Sequence, residues 1–293
     1  MNNIKTLYFI LSIFSSAGCN SENNKSEQKA YKDNFTTNII SDSENKKSIL
    51  SDKNDSIDFF SVASSFIDKP YVAGTLDIDS INENLIVNLD SVDCTTFLEY
   101  VTASLISERI PSESDSAYLS ALLKIRYKNG VINEYPSRLH YFSSWIDDNQ
   151  KKGIIKEVTE SFIYEDFNKK INFMSSNPQL YSQLRNNKKF IDQLRNEENY
   201  INGLNIKYIP KNKIASQLDK FKEGDLIAIT TSVKGLDISH VGFIHIINNV
   251  PYLMHASSGK KKVVITSENI YEYLKKNKSQ TGIRVLRLTN ISD

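Results

Sequence analysis

Hydrophobic positions follow two regimes along the chain, and the change falls at Gly224. Before it, most apolar residues recur at helical spacing. Phe59, Phe60, Val62, Ala63 and Phe66 form one such stripe, which breaks at Pro70. From Thr95, the positions Phe97, Leu98, Val101 and Leu105 form a second, and residues 113–127 repeat the pattern. Between the first two, "LIVNLDSV" alternates as a strand does. The stretch "SRLHYFSSWIDDNQKKG" reads as an aromatic-rich loop with a short helix, and residues 160–220 as polar and mostly helical. After Gly224 the period shortens. "DLIAITT", "SHVGFIHII", "PYLMHAS", "KKVVIT" and "GIRVLRL" are five β-rich runs separated by turns. Helices followed by an antiparallel sheet predict an α+β fold.

The N-terminus follows neither regime. In "MNNIKTLYFILSIFSSAGC", Lys5 gives a positive start, Leu7 to Phe14 an apolar core, and Ser16-Ala17-Gly18 a small-residue run before Cys19. The apolar run is far shorter than the roughly 20 residues of a membrane span. The pattern predicts a lipoprotein signal over 1–18, with Cys19 acylated. An ordinary secretory signal with an incidental cysteine is the alternative. Residues 19–55 are crowded with Asn, Ser, Lys, Asp and Glu and lack an apolar period, as expected of a tether. The folded domain is then 56–293, exported and lipid-anchored to the cell envelope on its periplasmic or cell-surface side.

Composition narrows the function. Thirty-six basic against 35 acidic side chains leave a net charge of +1, which argues against a nucleic-acid surface. Internal repeats, Walker loops, GxGxxG and CxxC are all missing from the sequence, so no cofactor is expected, and the domain is expected to be a monomer. The chain has two cysteines. With Cys19 acylated, Cys94 is an unpaired thiol in an exported protein, where cysteines are normally paired or avoided.

Asp93 is a plausible N-cap, which puts Cys94 in the first turn of a helix. The helix dipole and the unused N–H groups there favour a thiolate and the oxyanion its attack creates. Asp93 itself opposes the thiolate. A histidine partner comes from register. If Asn248-Asn249 form a two-residue hairpin turn flanked by 247 and 250, residue 242 faces 255. His240 is then diagonal to His255 on the same face of the sheet, and His245 points to the other. Asp237 and Ser239 read as capping or turn residues. Plainer readings exist: a buried cysteine is often a small hydrophobe, and strand histidines are often structural. Cys94, His240 and His255 also match three zinc ligands.

Taken together, "KPYVAG", "DSVDCTTFLE", "SRLHYFSSWIDDN", "GLDISHVGF" and "MHASS" resemble the N-acetylmuramoyl-L-alanine-amidase-like family of exported bacterial proteins, itself similar to NlpC-type papain-like peptidases. The resemblance implies a papain-like core with Cys94 as nucleophile, His240 as general base and His255 as third polar residue, with no metal. Tyr71 matches a tyrosine beside the site, although Ala73 and the single Gly74 depart from that motif. The long gap between Cys94 and His240 implies that 107–220 is a mostly helical insertion shaping the cleft. Arg138, His140, Tyr141 and Trp145 are expected to line it and to meet carboxylates or sugar. Tyr71 and Asp93 are alternatively placed to hold an α-amine. The implied activity is cysteine amidase action on peptidoglycan stem peptides, first at the MurNAc–L-Ala amide. Stem-peptide endopeptidase, acyltransferase and non-catalytic wall-binding lipoprotein are the alternatives.

Overall fold

The structure is a computed structural model and describes residues 58–77, 82–107 and 114–289. The signal segment, Cys19 and the whole of the tether lie outside the described residues. Helices α1 (Phe59–Ser64), α2 (Cys94–Ser107) and α3 (Ser114–Arg126) come first, followed by α4 (Phe142–Lys151). Three short strands, β1 (Ile155–Glu157), β2 (Glu165–Asp166) and β3 (Lys207–Pro210), bracket α5 (Phe173–Ser176) and α6 (Lys188–Asn202). After α7 (Lys211–Ile214) come β4 (Leu226–Thr231), β5 (Ile238–Ile247), β6 (Val250–Ser257) and β7 (Lys262–Asn269), then α8 (Ile270–Lys275) and β8 (Gln280–Leu288). The result is the expected α+β class.

The strands pair in the order β2-β3-β8-β4-β5-β6-β7, every pair antiparallel, and β1 shares the outer edge of β8 with β3. Both faces of this sheet are covered. Leu226, Ala228, Val241, Phe243, Met254 and Ala256 pack against Phe97, Leu98 and Val101 of α2 and against Trp145 of α4. Their neighbours Ile227, Ile229, Ile244 and Leu253 meet Ile214, Ile270 and Leu274 on the opposite side. A strand buried on two faces needs apolar residues at every position, which is why β4 reads as a continuous apolar run. A third cluster, containing Tyr141, Phe173, Leu194 and Leu236, underlies α5 and α6.

Two expectations change. "LIVNLDSV" is not a strand among the described elements. The side-chain oxygen of Asn88 accepts the N–H groups of Asp90 and Ser91 at 3.0 and 3.1 Å, turning the backbone away from a ladder. The stretch 160–220, expected to be mostly helical, also supplies β2 and β3 to the sheet. Among the described residues, no helix is long and apolar enough to cross a membrane.

Candidate active site

Cys94 is the first residue of α2. Asp93 caps the helix: its carboxylate accepts the Thr96 N–H at 2.8 Å, and the Thr96 hydroxyl accepts the Asp93 N–H at 2.8 Å. In this first turn the backbone and side chain of Thr95 also hydrogen-bond the Cys94 sulfur. The sulfur is buried and hydrogen-bonded by the backbone of Val241, one residue beyond His240, which brings α2 against the start of β5. Helix position favours the thiolate, but burial, and after it Asp93, pushes the thiol up to about 12. The dipole expectation is therefore overridden, and the resting sulfur is a neutral thiol.

The histidine pair arises from the hairpin. Asn248 and Asn249 have φ of 50° and 64°, the left-handed conformation that a tight two-residue turn requires. Ile247 pairs with Val250 and Phe243 with Met254, so the next step of the ladder sets Gly242 beside His255. A Cβ on Gly242 would lie 2.7 Å from the Met254 oxygen and 3.0 Å from the His255 Cβ, so this close approach depends on glycine. A β-bulge opposite Ile229 and Thr230 leaves Ser239 unpaired immediately before His240, a device that re-aims strand side chains. Nε2 of His240 then lies 2.6 Å from Nδ1 of His255, with the rings nearly perpendicular. Both are buried. Desolvation, and then His255, drives His240 well below the usual histidine range, and desolvation takes His255 to about 4. His245 points the other way, stacked on Phe60 and bonded to Glu223 at 2.9 Å. With the two imidazoles bonded to each other, the zinc arrangement does not form. Among the described residues, no group of three His, Cys, Asp or Glu side chains is placed to hold a metal ion.

Cys94 and His240 open onto a cavity of about 180 Å³. Gly74, Asp77, Arg138 and His140 line one part of it, and Leu236, Asp237 and Ser239 another. Arg138 is not an open cation. Its guanidinium pairs with Asp77 at 2.7 Å and Glu83 at 3.3 Å, and lies over the Tyr135 ring. His140 donates from Nε2 to the Tyr135 carbonyl at 2.8 Å, and burial beside Arg138 lowers it to about 3, so it stays neutral. Tyr141 and Trp145 are not among the lining residues. The Tyr141 hydroxyl donates to buried Glu198 at 2.6 Å, and Trp145 is fully buried, stacked on Phe142. Tyr71 packs beside the site, its phenol pushed well up by burial and then by Cys94 and Asp93. Asp237 accepts the Ser143 N–H at 2.7 Å, capping α4 from across the cleft.

Two lining residues are not legible in the sequence pattern. Arg126 and Glu99 form a fully buried pair at 2.6 Å on the cleft floor, and their helical positions read as ordinary solvated charges. With Asp77, Asp93 and Asp237, the cleft carries four carboxylates against two guanidiniums.

Residues 61–283 match the family model described as N-acetylmuramoyl-L-alanine amidase-like, AmiA-like. The chain belongs to this family. The amidase-like domain is also similar to solved structures. A crystal structure of an N-acetylmuramoyl-L-alanine amidase from Bacteroides uniformis ATCC 8492 is 40% identical, covers 80% of this chain and 99% of that one, and has a TM-score of 0.74. A putative xylanase from Bacteroides fragilis is 38% identical over 78% of this chain and all of that one, with a TM-score of 0.72. A Legionella pneumophila protein at 22% identity and a TM-score of 0.57 shares the fold alone. Comparison with curated proteins gave no match.

Proposed function

We propose that this member of the amidase-like family is a cysteine amidase that hydrolyses the MurNAc–L-Ala amide of peptidoglycan stem peptides, on an NlpC-type papain-like core. One observation carries the reading: Cys94 begins a helix whose first turn meets β5 beside His240, and both open into one cleft.

The geometry sets the proton path. For His240 to act as base, Nε2 carries hydrogen and donates to Nδ1 of neutral His255, leaving Nδ1 of His240 to serve Cys94. The thiol proton passes to that nitrogen as the sulfur bonds to the lactyl carbonyl carbon. The N–H groups of Cys94 and Thr95 are the candidate donors to the resulting oxyanion. His240 returns the proton to the L-Ala nitrogen, the C–N bond breaks, and a thioester remains. Water then gives a proton to His240 and its hydroxyl to the carbonyl, releasing N-acetylmuramic acid and the thiol. The imidazolium is stabilised through Nε2 by His255, which burial keeps neutral and able to accept.

A second reading has its own support. The excess of carboxylates in the cleft, with both guanidiniums paired, favours a cationic substrate group. A free α-amine beside Asp93 and Tyr71 would make the enzyme an endopeptidase on glycan-free stem peptides. The test is a matched pair, a MurNAc tetrapeptide and the same tetrapeptide with a free N-terminus, with products identified by mass. Free N-acetylmuramic acid supports the amidase. Release of a dipeptide, with or without MurNAc, supports the endopeptidase and contradicts the amidase. The pattern Lys5, Leu7–Phe14 and Ser16-Ala17-Gly18-Cys19 supports a lipid-anchored envelope location for the protein.

A further inference from the structure

The cleft wall that ends in His240 begins as a loop over Ser232–Leu236, between β4 and β5. The loop closes its own turn, the Leu236 N–H donating to the Val233 carbonyl at 3.2 Å, and it is also held from outside. Lys169, in the segment after β2, donates from its ammonium to the carbonyls of Thr231, Val233 and Leu236, each at 2.5 to 2.6 Å. Three donors meet three acceptors, using the full capacity of a lysine head group. Of the three carbonyls, that of Val233 also accepts the Leu236 N–H, and the cation is what lets all three converge on one point.

The same segment grips the loop a second time. The Gly235 carbonyl accepts the N–H groups of both Asn172 and Phe173 at 3.0 Å, and Ile171 bridges to Gly235. Gly235 has φ of 80°, and a Cβ there would lie 2.6 Å from the Asn172 side chain, so the docking is too close for another residue. The docked loop carries Leu236 and Asp237 into the cleft, while Met174 and Tyr181 from beyond the clamp line it too. His240 itself is held independently, by its pairing with Ile229.

We infer that Lys169 is a positioning residue: by gathering the carbonyls of Thr231, Val233 and Leu236 it sets the cleft wall at Leu236–Ser239 against which substrate is aligned. It touches neither Cys94 nor the histidines. Its loss should therefore disturb substrate alignment and leave the intrinsic reactivity of the thiol alone. The inference uses the amidase reading only to choose a substrate.

The experiment compares the full-length parent with Lys169→Met and Lys169→Arg, using the MurNAc tetrapeptide, iodoacetamide as a small thiol probe, and amide hydrogen exchange. In Lys169→Met, kcat/KM should fall by at least about 10-fold, mainly through KM, while Cys94 alkylation stays within about 2-fold of the parent. Exchange over 232–237 should rise by about 10-fold or more, with 240–247 unchanged. Lys169→Arg keeps a multidentate cation and should recover most of the loss. If the methionine variant does not fold, Lys169→Gln, with two N–H donors, should show the same pattern at smaller amplitude. Parental kcat/KM, alkylation slowed in step with turnover, or unchanged exchange over 232–237 would each overturn the inference. If the parent cleaves no muramyl peptide, that counts against the amidase reading, and the exchange comparison alone decides on Lys169.

Discussion

Cys94 is a thiol on which helix position and burial act in opposite directions, and burial wins. In the proposed mechanism the pair is therefore two neutral groups that exchange a proton only as substrate is attacked. Replacing Asp93 by Asn keeps an N-cap but removes the nearest carboxylate, so iodoacetamide should alkylate Cys94 faster at pH 7.5 than in the parent. The histidines give a pH signature. His240 sits well below the usual range, so kcat/KM should hold as pH falls through 6.5 and drop only in more acid solution. Stability moves the other way. Unfolded histidines titrate near 6.5, so below that pH the unfolded chain binds protons that the folded one refuses, and stability declines as pH falls. His255→Gln should flatten that decline and cost about 10- to 100-fold in kcat, because a carboxamide still accepts from His240 Nε2. His255→Leu should lose more. The pairing of His240 with His255 was legible because period-two arithmetic and an Asn-Asn turn fix which side chains share a face, and Cys94 because an unpaired thiol follows an N-capping Asp93. Tyr141 and Trp145 were not, since an aromatic at the start of a helix packs equally well into a cleft wall or a core. The second outcome holds here, with Trp145 fully buried.

At the scale of elements, the hairpin β5–β6 and the start of α2 do most to set the site. Gly242 is the tightest point of the hairpin. Gly242→Ala should destabilise the fold by roughly 1 to 3 kcal/mol through overpacking against Met254 and His255. Activity should fall further than that loss alone implies, because the same contact sets the His240–His255 geometry. Denaturant unfolding and kcat on the same preparation check both. Legibility followed element length. β4 to β8 span six to ten residues each, long enough for apolar patterning and turn signals to agree. β1, β2 and β3 span three, two and four, too short to carry a period, and their pairing to the sheet edge is dictated by tertiary contacts. "LIVNLDSV" has the right alternation, but Asn88 supplies local acceptors that compete with a ladder.

The whole molecule places one buried thiol in a sheet-and-helix domain behind a long polar segment and a cysteine-ended signal pattern. Labelled palmitate should enter the parent protein and be lost in Cys19→Ala, with that variant leaving the membrane fraction. Label retained in Cys19→Ala would contradict the anchor. The central claim, that Cys94 attacks the lactyl carbonyl of MurNAc, is tested most directly by trapping the covalent intermediate. Acid quench of the enzyme during turnover of a MurNAc tetrapeptide, followed by peptide mapping, reads both the nucleophile and the bond. The account predicts an adduct on the Cys94 peptide with the mass of N-acetylmuramic acid less one water, missing in Cys94→Ala. A peptidyl adduct on Cys94, or an acyl group carried by any other residue, would contradict it.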